Sequence, residues 1–245
     1  PGRPDPTRCS AGWCVRRWPG NPMDERWQGP VEDGFDAHEV VGRRTQFAGA
    51  VWDVRSDDVL IGDHSVTRDL VVHPGAVGII ALDEHDRLLL IRQYRHPVGS
   101  YLFEPPAGLL DTHKESALAC AKRELVEEAG LQAHVWHVLI DFLNSPGGTS
   151  ETFRCFLARG LEQVPEGRTH TGEAEEAHLP QAWVGLDDAV GLVLAGKIQN
   201  PTATNGILAA AAARARGWSD LRPAEAPWPV RDWVESLGNV RTPRV

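Results

Sequence analysis

Hydrophobic and polar positions follow the spacing of short strands from about residue 45 onward. Segments of alternating or continuous apolar residues, each bounded by turn-forming residues, are typical of β-strands. On this pattern we expect strands at Phe47–Arg55, Asp69–His73, Gly75–Leu82, Arg87–Tyr94, Leu102–Ala107, Val135–Leu143, Thr152–Ala158 and Trp183–Leu186. The pattern therefore predicts a protein built mainly on β-sheet.

One segment has clear helical spacing instead. From about Ser116 to Ala129, the residues Leu118, Ala121 and Leu125 recur at the intervals that place side chains on one face of a helix. Gly130 follows directly, and glycine is the usual residue just after a helix end. This helix is expected to pack its apolar side on a sheet and to present its other side to a cleft.

Two further helices are predicted nearer the C-terminus, at about Asp187–Ala195 and Thr202–Arg216. Asn200 and Pro201 precede the second, as expected of an N-cap and a first helical residue. The segment after Gly217 is rich in tryptophan and proline and is not expected to be helical; it would wrap the core or a partner subunit. Together the elements predict an α/β (α+β) fold with helices on a mixed sheet.

Four regions are predicted along the chain. Residues 1–22 precede the only methionine, Met23, and are interpreted as a leader outside the fold. Residues 23–73 are expected to form an N-terminal β region, residues 74–217 the central domain, and residues 218–245 a C-terminal tail.

Composition narrows the class of protein. The formal charge of −9 argues against general nucleic-acid binding, although local arginines and a bound metal can still attract phosphate. No apolar run approaches the length of a membrane helix, which is roughly 18 residues or more. The four cysteines form no CxxC pair, so a reducing cytoplasm is the expected location.

The helix around residues 116–129 carries the main candidate chemistry. Glu124, Glu127 and Glu128 fall within an arc of about 100° on the helical wheel. Like charges at this spacing repel one another, so a helix selected only for stability would avoid them. A divalent cation would turn the repulsion into a binding site, whereas the alternative is a solvated acidic face.

The residues from Gly108 to Leu131 resemble the Nudix hydrolase box, G-x5-E-x7-R-E-U-x-E-E-x-G-U with U apolar. The run Arg123–Leu131, RELVEEAGL, matches every fixed position of the second half, and Glu115 has the expected spacing before it. Gly108 is one residue too far from Glu115, which indicates an insertion in the first loop. The resemblance implies a Nudix-type α/β/α sandwich with a mixed sheet, plus N-terminal antiparallel strands, and residues 74–217 as the catalytic domain.

The resemblance also implies roles for these residues. Glu124, Glu127, Glu128 and the carbonyl of Ala107 would bind metal, as Mg²⁺ or another divalent cation such as Mn²⁺. On the wheel, Arg123 lies beside Glu127 and could orient it. Glu115 points away from the acidic arc, so it is interpreted as an orienting or helix-start residue.

Similarity to bacterial ADP-ribose pyrophosphatases extends from about Arg68 to Ala212 and implies ADP-ribose as substrate. Pro146, 15 residues beyond Leu131 within Ser145–Glu151, matches a proline of that subgroup, although a Pro-Gly turn would have the same sequence. The implied substrate contacts are Arg68, Arg95, Glu104, Ser145, Pro146 and Glu151. For Arg68 the alternative is a surface ion pair, and for Glu104 the alternative is a carboxylate at a strand edge with no contact to substrate.

The same branch of the family places its general base in an acidic loop, here Glu173–Glu176. Glu175 is the favoured base, but spacing alone does not separate it from Glu173 and Glu176. The histidines, including His73 and His134, show no ligand spacing and are interpreted as structural or surface residues.

Together these resemblances imply hydrolysis of ADP-ribose to AMP and ribose 5-phosphate. The alternatives are a Nudix enzyme for another nucleoside diphosphate derivative, and a non-catalytic regulator that binds ADP-ribose. The resemblance further implies a homodimer in which residues Val40–Val72 are exchanged between subunits. No nucleic-acid or membrane partner is expected.

Overall fold

The computed structural model describes residues 29–112, 115–165, 167–168 and 179–242. The strands are β1 Val40–Ala48, β2 Asp53–Ile61, β3 His64–Val72, β4 Ala76–Ala81, β5 Arg87–Arg95, β6 Ser100–Glu104, β7 Ala107–Leu109, β8 Leu131–Leu143, β9 Thr152–Gln163, β10 Gln181–Gly185 and β11 Arg222–Pro223. The helices are α1 Ala117–Ala129, α2 Leu186–Leu194, α3 Pro201–Ala215 and α4 Pro229–Ser236, and His96–Val98 forms a 3₁₀ turn. Contacts divide the chain into Pro1–Ala37 and His38–Val245, and every helix and strand named here lies in the second unit.

The central sheet has the order β11-β8-β9-β4-β7. Strands β4 and β9 run parallel, while the other neighbouring pairs are antiparallel. The core consists of two clusters of buried residues, one on each face of this sheet. Val77 and Ile79 of β4 belong to one cluster and Ile80 belongs to the other, which explains the continuous apolar sequence of the strand. A strand that is buried on both faces needs apolar residues at every position.

Helices cover the two faces of this sheet. Residues Ala121 and Leu125 of α1 are fully buried in the cluster that contains Val77. On the other face, α2 and α3 contribute Ala189 and Ile207 to the cluster that contains Ile80. The result is a three-layer α/β/α arrangement, which leaves the polar side of α1 outside the core.

Two smaller sheets complete the unit, with orders β10-β5-β6 and β1-β2-β3. The second is an antiparallel N-terminal sheet, as expected. Its last strand reaches the loop after β8, since the Val71 N–H donates to the Gly148 carbonyl at 2.9 Å. The N-terminal sheet is thereby attached to one of the loops that carry predicted site residues.

Three details of the predicted elements were wrong. The segment Phe47–Arg55 is not one strand, because a tight turn closes with the Gly49 N–H donating to the Trp52 carbonyl at 3.1 Å. The segment Leu102–Ala107 is divided by two consecutive prolines, which have no N–H for a sheet ladder.

The third error concerns the tail after Gly217, which contains the helix α4. The tail is fastened to the core by Arg154, whose guanidinium forms hydrogen bonds with Asp141 and with the carbonyls of Ala226 and Pro227 at 2.7–2.9 Å. Arg154 also lies 4.7 Å from the ring centroid of Trp228. Within the described ranges, no helix is long and apolar enough to span a membrane.

Candidate active site

Helix α1 is closed at both ends by local hydrogen bonds. The Ser116 hydroxyl accepts from the Ala119 N–H at 3.2 Å, which makes it the N-cap. Gly130 adopts φ 67°, a left-handed conformation that suits glycine, and its N–H donates to the Val126 carbonyl at 2.8 Å. The side chain of Gln181 donates to the carbonyls of Glu128 and Ala129, in the last turn of the helix, at 3.3 Å. These caps fix the position of the acidic face.

Arg123 lies at the centre of the acidic cluster. Its guanidinium contacts Glu115 at 2.9 Å, Glu124 at 2.6 Å and Glu127 at 2.8 Å. The contact with Glu127 confirms the neighbour predicted from the helical wheel. The hydrogen bond from Arg123 lowers the pKa of Glu115 below its usual value, and the carboxylates in turn raise the pKa of Arg123. One cation thus offsets much of the repulsion among three anions.

Glu128 connects the helix to the strand beside it. Its side chain is buried, and Oε2 accepts a hydrogen bond from the Ala107 N–H at 2.9 Å. Ala107 begins β7, and its carbonyl is the predicted metal ligand. The contact places one predicted ligand residue directly against another.

Gly108 allows this close approach. A Cβ atom at this position would lie 2.1 Å from Oε1 and 2.3 Å from the carboxyl carbon of Glu124. Real Cβ atoms do not come this close to other heavy atoms, so the Glu124 carboxylate occupies the space that any other side chain would need. A side chain at this position would displace the Glu124 carboxylate, so the glycine is favoured here by space and not by its φ, which lies outside the left-handed region.

The donor set fits a hard divalent cation by its chemistry, because it consists of carboxylate and carbonyl oxygens. The side chains do not converge as they stand. No group of three His, Cys, Asp or Glu residues in the described part of the chain is arranged to hold a metal ion. Glu124 and Glu127 face Arg123, so joint coordination requires them to turn away from its guanidinium.

A second cluster adjoins the first along the chain. Arg95, at the end of β5, forms a bidentate pair with Glu104, with Nε–Oε1 at 2.9 Å and Nη2–Oε2 at 2.6 Å. Glu104 is 2% exposed, whereas the side chain of Arg95 is 44% exposed. Only Pro105 and Pro106 separate Glu104 from Ala107. The buried carboxylate of Glu104 therefore holds the solvent-accessible guanidinium of Arg95. Glu104 itself lies shortly before the acidic helix in the sequence.

Glu151 belongs to this second cluster. Its Oε2 accepts from the Asn144 side chain at 2.8 Å. Burial raises the pKa of Glu151 above its usual value, although Asn144 and the charge of Arg95 act in the opposite direction. The neighbouring Ser145 has φ 54°, and Pro146 is exposed in the same turn.

Other predicted site residues are not brought into these clusters. Arg68 is exposed on β3, and its Nη1 donates to the Thr67 carbonyl at 3.1 Å. Its predicted phosphate contact stays a prediction, as do the other site roles. The candidate bases Glu173, Glu175 and Glu176 lie outside the described residues.

Sequence reasoning missed several contacts of the site. Asn144 and His73 both lie beside Glu151, and Gln181 caps α1. Their positions depend on how the strands and loops come together, and no local motif marks them. Asn144 directly precedes the predicted Ser145–Glu151 segment, which was the only available signal.

Comparison with known proteins shows the family of this chain. The model of the NUDIX domain matches residues 72–204, which is more than half of the chain. The chain therefore belongs to the Nudix hydrolase family.

Individual relatives extend the comparison. The chain is 40% identical over 191 residues to an ADP-ribose pyrophosphatase of Mycobacterium tuberculosis, covering 78% of this chain and 90% of that protein. It is 36% identical over 145 residues to a methanol dehydrogenase activator of Bacillus methanolicus, covering 59% of this chain and 76% of that protein. A solved structure described as an ADP compounds hydrolase has a TM-score of 0.60 at 22% identity, over 85% of this chain and 100% of that one. That likeness confirms the predicted mixed α/β fold.

Proposed function

We propose that this protein hydrolyses the pyrophosphate bond of ADP-ribose to give AMP and ribose 5-phosphate. The observation that carries the substrate is the 40% identity to the mycobacterial ADP-ribose pyrophosphatase over 90% of that protein's length. The acidic residues of the box are all present here, and α1 holds Glu124 and Glu128 beside the Ala107–Gly108 segment and Glu127 beside Arg123. This retention favours catalysis over simple binding.

In this proposal Glu124, Glu127, Glu128 and the Ala107 carbonyl would hold Mg²⁺ or Mn²⁺. Bound divalent cations neutralise charge on the pyrophosphate and lower the pKa of a bound water. Glu115 would hold Arg123, which pairs with Glu124 and Glu127 and would release both carboxylates when a cation binds.

The remaining residues position the substrate and take the proton. Arg95, held by Glu104, offers a planar guanidinium to phosphate oxygens, and Arg68 is a further candidate for this role. Ser145, Pro146 and Glu151 would contact the substrate from their loop. A glutamate of the 173–176 loop, Glu175 first among them, would accept the proton of the attacking water.

The test is the product pair formed from ADP-ribose with and without Mg²⁺, separated by chromatography. We expect equimolar AMP and ribose 5-phosphate with metal and little of either without it. Glu128→Gln should lower kcat/KM by at least about 100-fold, because its buried carboxylate is a predicted ligand. Glu162→Gln, at an exposed pair with His134, is the matched control and should retain activity.

Three results would contradict the proposal. If another nucleoside diphosphate derivative were hydrolysed faster than ADP-ribose, that compound would be the preferred substrate. Activity of Glu128→Gln within a few-fold of the unsubstituted protein would remove the metal-site role of α1. Binding of ADP-ribose without formation of either product would indicate a non-catalytic regulator instead.

We also propose a homodimer in a reducing cytoplasm. Val41 and Phe47 of the N-terminal sheet are 55% and 61% exposed, as expected of residues that a second subunit would cover. Cys120 and Cys155 are both buried and free, which fits a reducing compartment.

A further inference from the structure

His73 connects several segments around Glu151, although sequence reasoning gave it no role in the chemistry. It follows the end of β3, is 6% exposed, and stacks on Trp52 of the N-terminal sheet with ring centroids 5.6 Å apart. The backbone N–H of His73 donates to the Ser150 hydroxyl at 3.0 Å, and its backbone carbonyl accepts from the backbone N–H of Arg241 at 3.3 Å. Trp52 therefore contacts the imidazole ring, while the site loop and the C-terminal tail hold the backbone of His73.

Hydrogen bonding determines which ring nitrogen carries the proton. The Nδ1 atom accepts from the Gly75 N–H at 3.0 Å, so in the neutral ring the proton resides on Nε2. Burial, and then the charge of Arg231, lowers the pKa of His73 to about 4. The ring is therefore neutral near pH 7, with a single N–H donor at Nε2.

That donor lies on the Glu151 side of the ring. Nε2 is 3.9 Å from Oε1 of Glu151, while Asn144 occupies the other oxygen, Oε2. A separation of 3.9 Å is longer than a hydrogen bond, and contacts of this kind often shorten when substrate binds. Glu151 thus has one oxygen held by Asn144 and the second facing His73.

We propose that His73 is a positioning residue for Glu151, whose Nε2–H orients the Oε1 atom of that carboxylate in the substrate complex. The proposal rests on the proposed function, in which Glu151 belongs to the substrate site. His73 acts through Glu151 and touches neither substrate nor metal. The neutral donor provides orientation without adding a positive charge to the pocket.

A pair of substitutions separates the two ring nitrogens. The oxygen of His73→Asn can replace Nδ1 as the acceptor for Gly75, but this variant has no donor at the Nε2 position. The amide nitrogen of His73→Gln can replace Nε2 as the donor, but this variant loses the Nδ1 acceptor. Each His73 substitution is made alone and in combination with Glu151→Gln. His134→Asn, at an exposed pair with Glu162, is the control.

We expect His73→Asn to lower kcat about tenfold with little change in KM, as for other residues that orient a functional group. His73→Gln should recover most of that loss, and His134→Asn should have no effect. With Glu151→Gln present, His73→Asn should cause no further loss, because the group it orients is already altered. Equal losses in both His73 variants, or the same fold-loss with and without Glu151→Gln, would overturn the proposal.

A second measurement is independent of activity. In ¹⁵N-histidine NMR of the whole chain at pH 7, His73 should be the Nε2–H tautomer, and its Nε2 shift should move in Glu151→Gln. An Nδ1–H tautomer, or an Nε2 shift that ignores Glu151, would also refute the positioning role. The kinetics can use whichever pyrophosphate substrate the protein cleaves, so failure on ADP-ribose alone counts against the proposed function and leaves His73 testable.

Discussion

At the scale of single residues, the guanidinium of Arg123 lies at the centre of the acidic face. Arg123 contacts three carboxylates at 2.6–2.9 Å, and Glu128 is held separately by the Ala107 N–H. Four glutamates are therefore divided between a cationic partner and a backbone donor. A cation bound among Glu124, Glu127 and Glu128 would compete with Arg123 for two of them.

Gly108 provides a prediction at this scale. Gly108→Ala should displace the Glu124 carboxylate, because the new Cβ would lie 2.1 Å from its Oε1. We expect kcat/KM to fall at least about tenfold, whereas the free energy of unfolding should fall by at most about 1 kcal/mol, less than at an overpacked core site, because the Glu124 side chain can turn aside. Enzyme kinetics and chemical denaturation measure the two effects.

Gly191→Ala is the matched control, since nothing lies within 4 Å of a Cβ there. It lies in α2, where alanine is the better helix former, so stability should rise by up to about 1 kcal/mol. Full activity of Gly108→Ala would mean that the observed position of Glu124 does not matter for turnover.

Sequence reasoning reached part of this residue-level arrangement. The contact of Arg123 with Glu127 was predictable, because residues four apart share a helix face. The contact with Glu124 was not, because adjacent helical residues point in different directions and only the long arginine side chain closes the gap. The space requirement at Gly108 depends on the packing of β7 against α1, which the motif alone does not describe.

At the scale of elements, helix α3 depends on its N-cap. The Asn200 side chain accepts from the Ala203 N–H at 2.9 Å and is mostly buried, so water cannot easily replace it. Asn200→Ala should lower the free energy of unfolding by about 1 kcal/mol, within the usual range of roughly 0.5–2 kcal/mol. Chemical denaturation provides the measurement.

Asn205→Ala, inside the same helix, is the control and should leave stability equal or slightly higher. A stability loss as large as that of Asn200→Ala would show that the cap is not the cause. The sequence predicted this helix and its cap because Asn-Pro is a local signal. It did not predict α4, which is only eight residues long and begins after Trp228 with no side-chain cap.

At the scale of the whole molecule, the proposed dimer can be tested directly. Light scattering should give about twice the chain mass of 26.9 kDa. Phe47→Asp should shift the mass toward a monomer, because a buried unpaired charge is costly at an interface. Leu194→Asp, at a residue that is 76% exposed at the end of α2, is the control and should stay dimeric. A monomeric mass for the unsubstituted protein would refute the dimer.

The parallel pairing of β4 and β9 also has a consequence for the order of folding. Ala76 pairs with Leu109 nearby in the chain, but its parallel partner is Phe153, far later. The core beneath α1 includes both Val77 and Phe156. During synthesis the central sheet beneath the acidic helix therefore stays incomplete until β9 has emerged. Non-local pairing of this kind slows folding and prolongs exposure to aggregation.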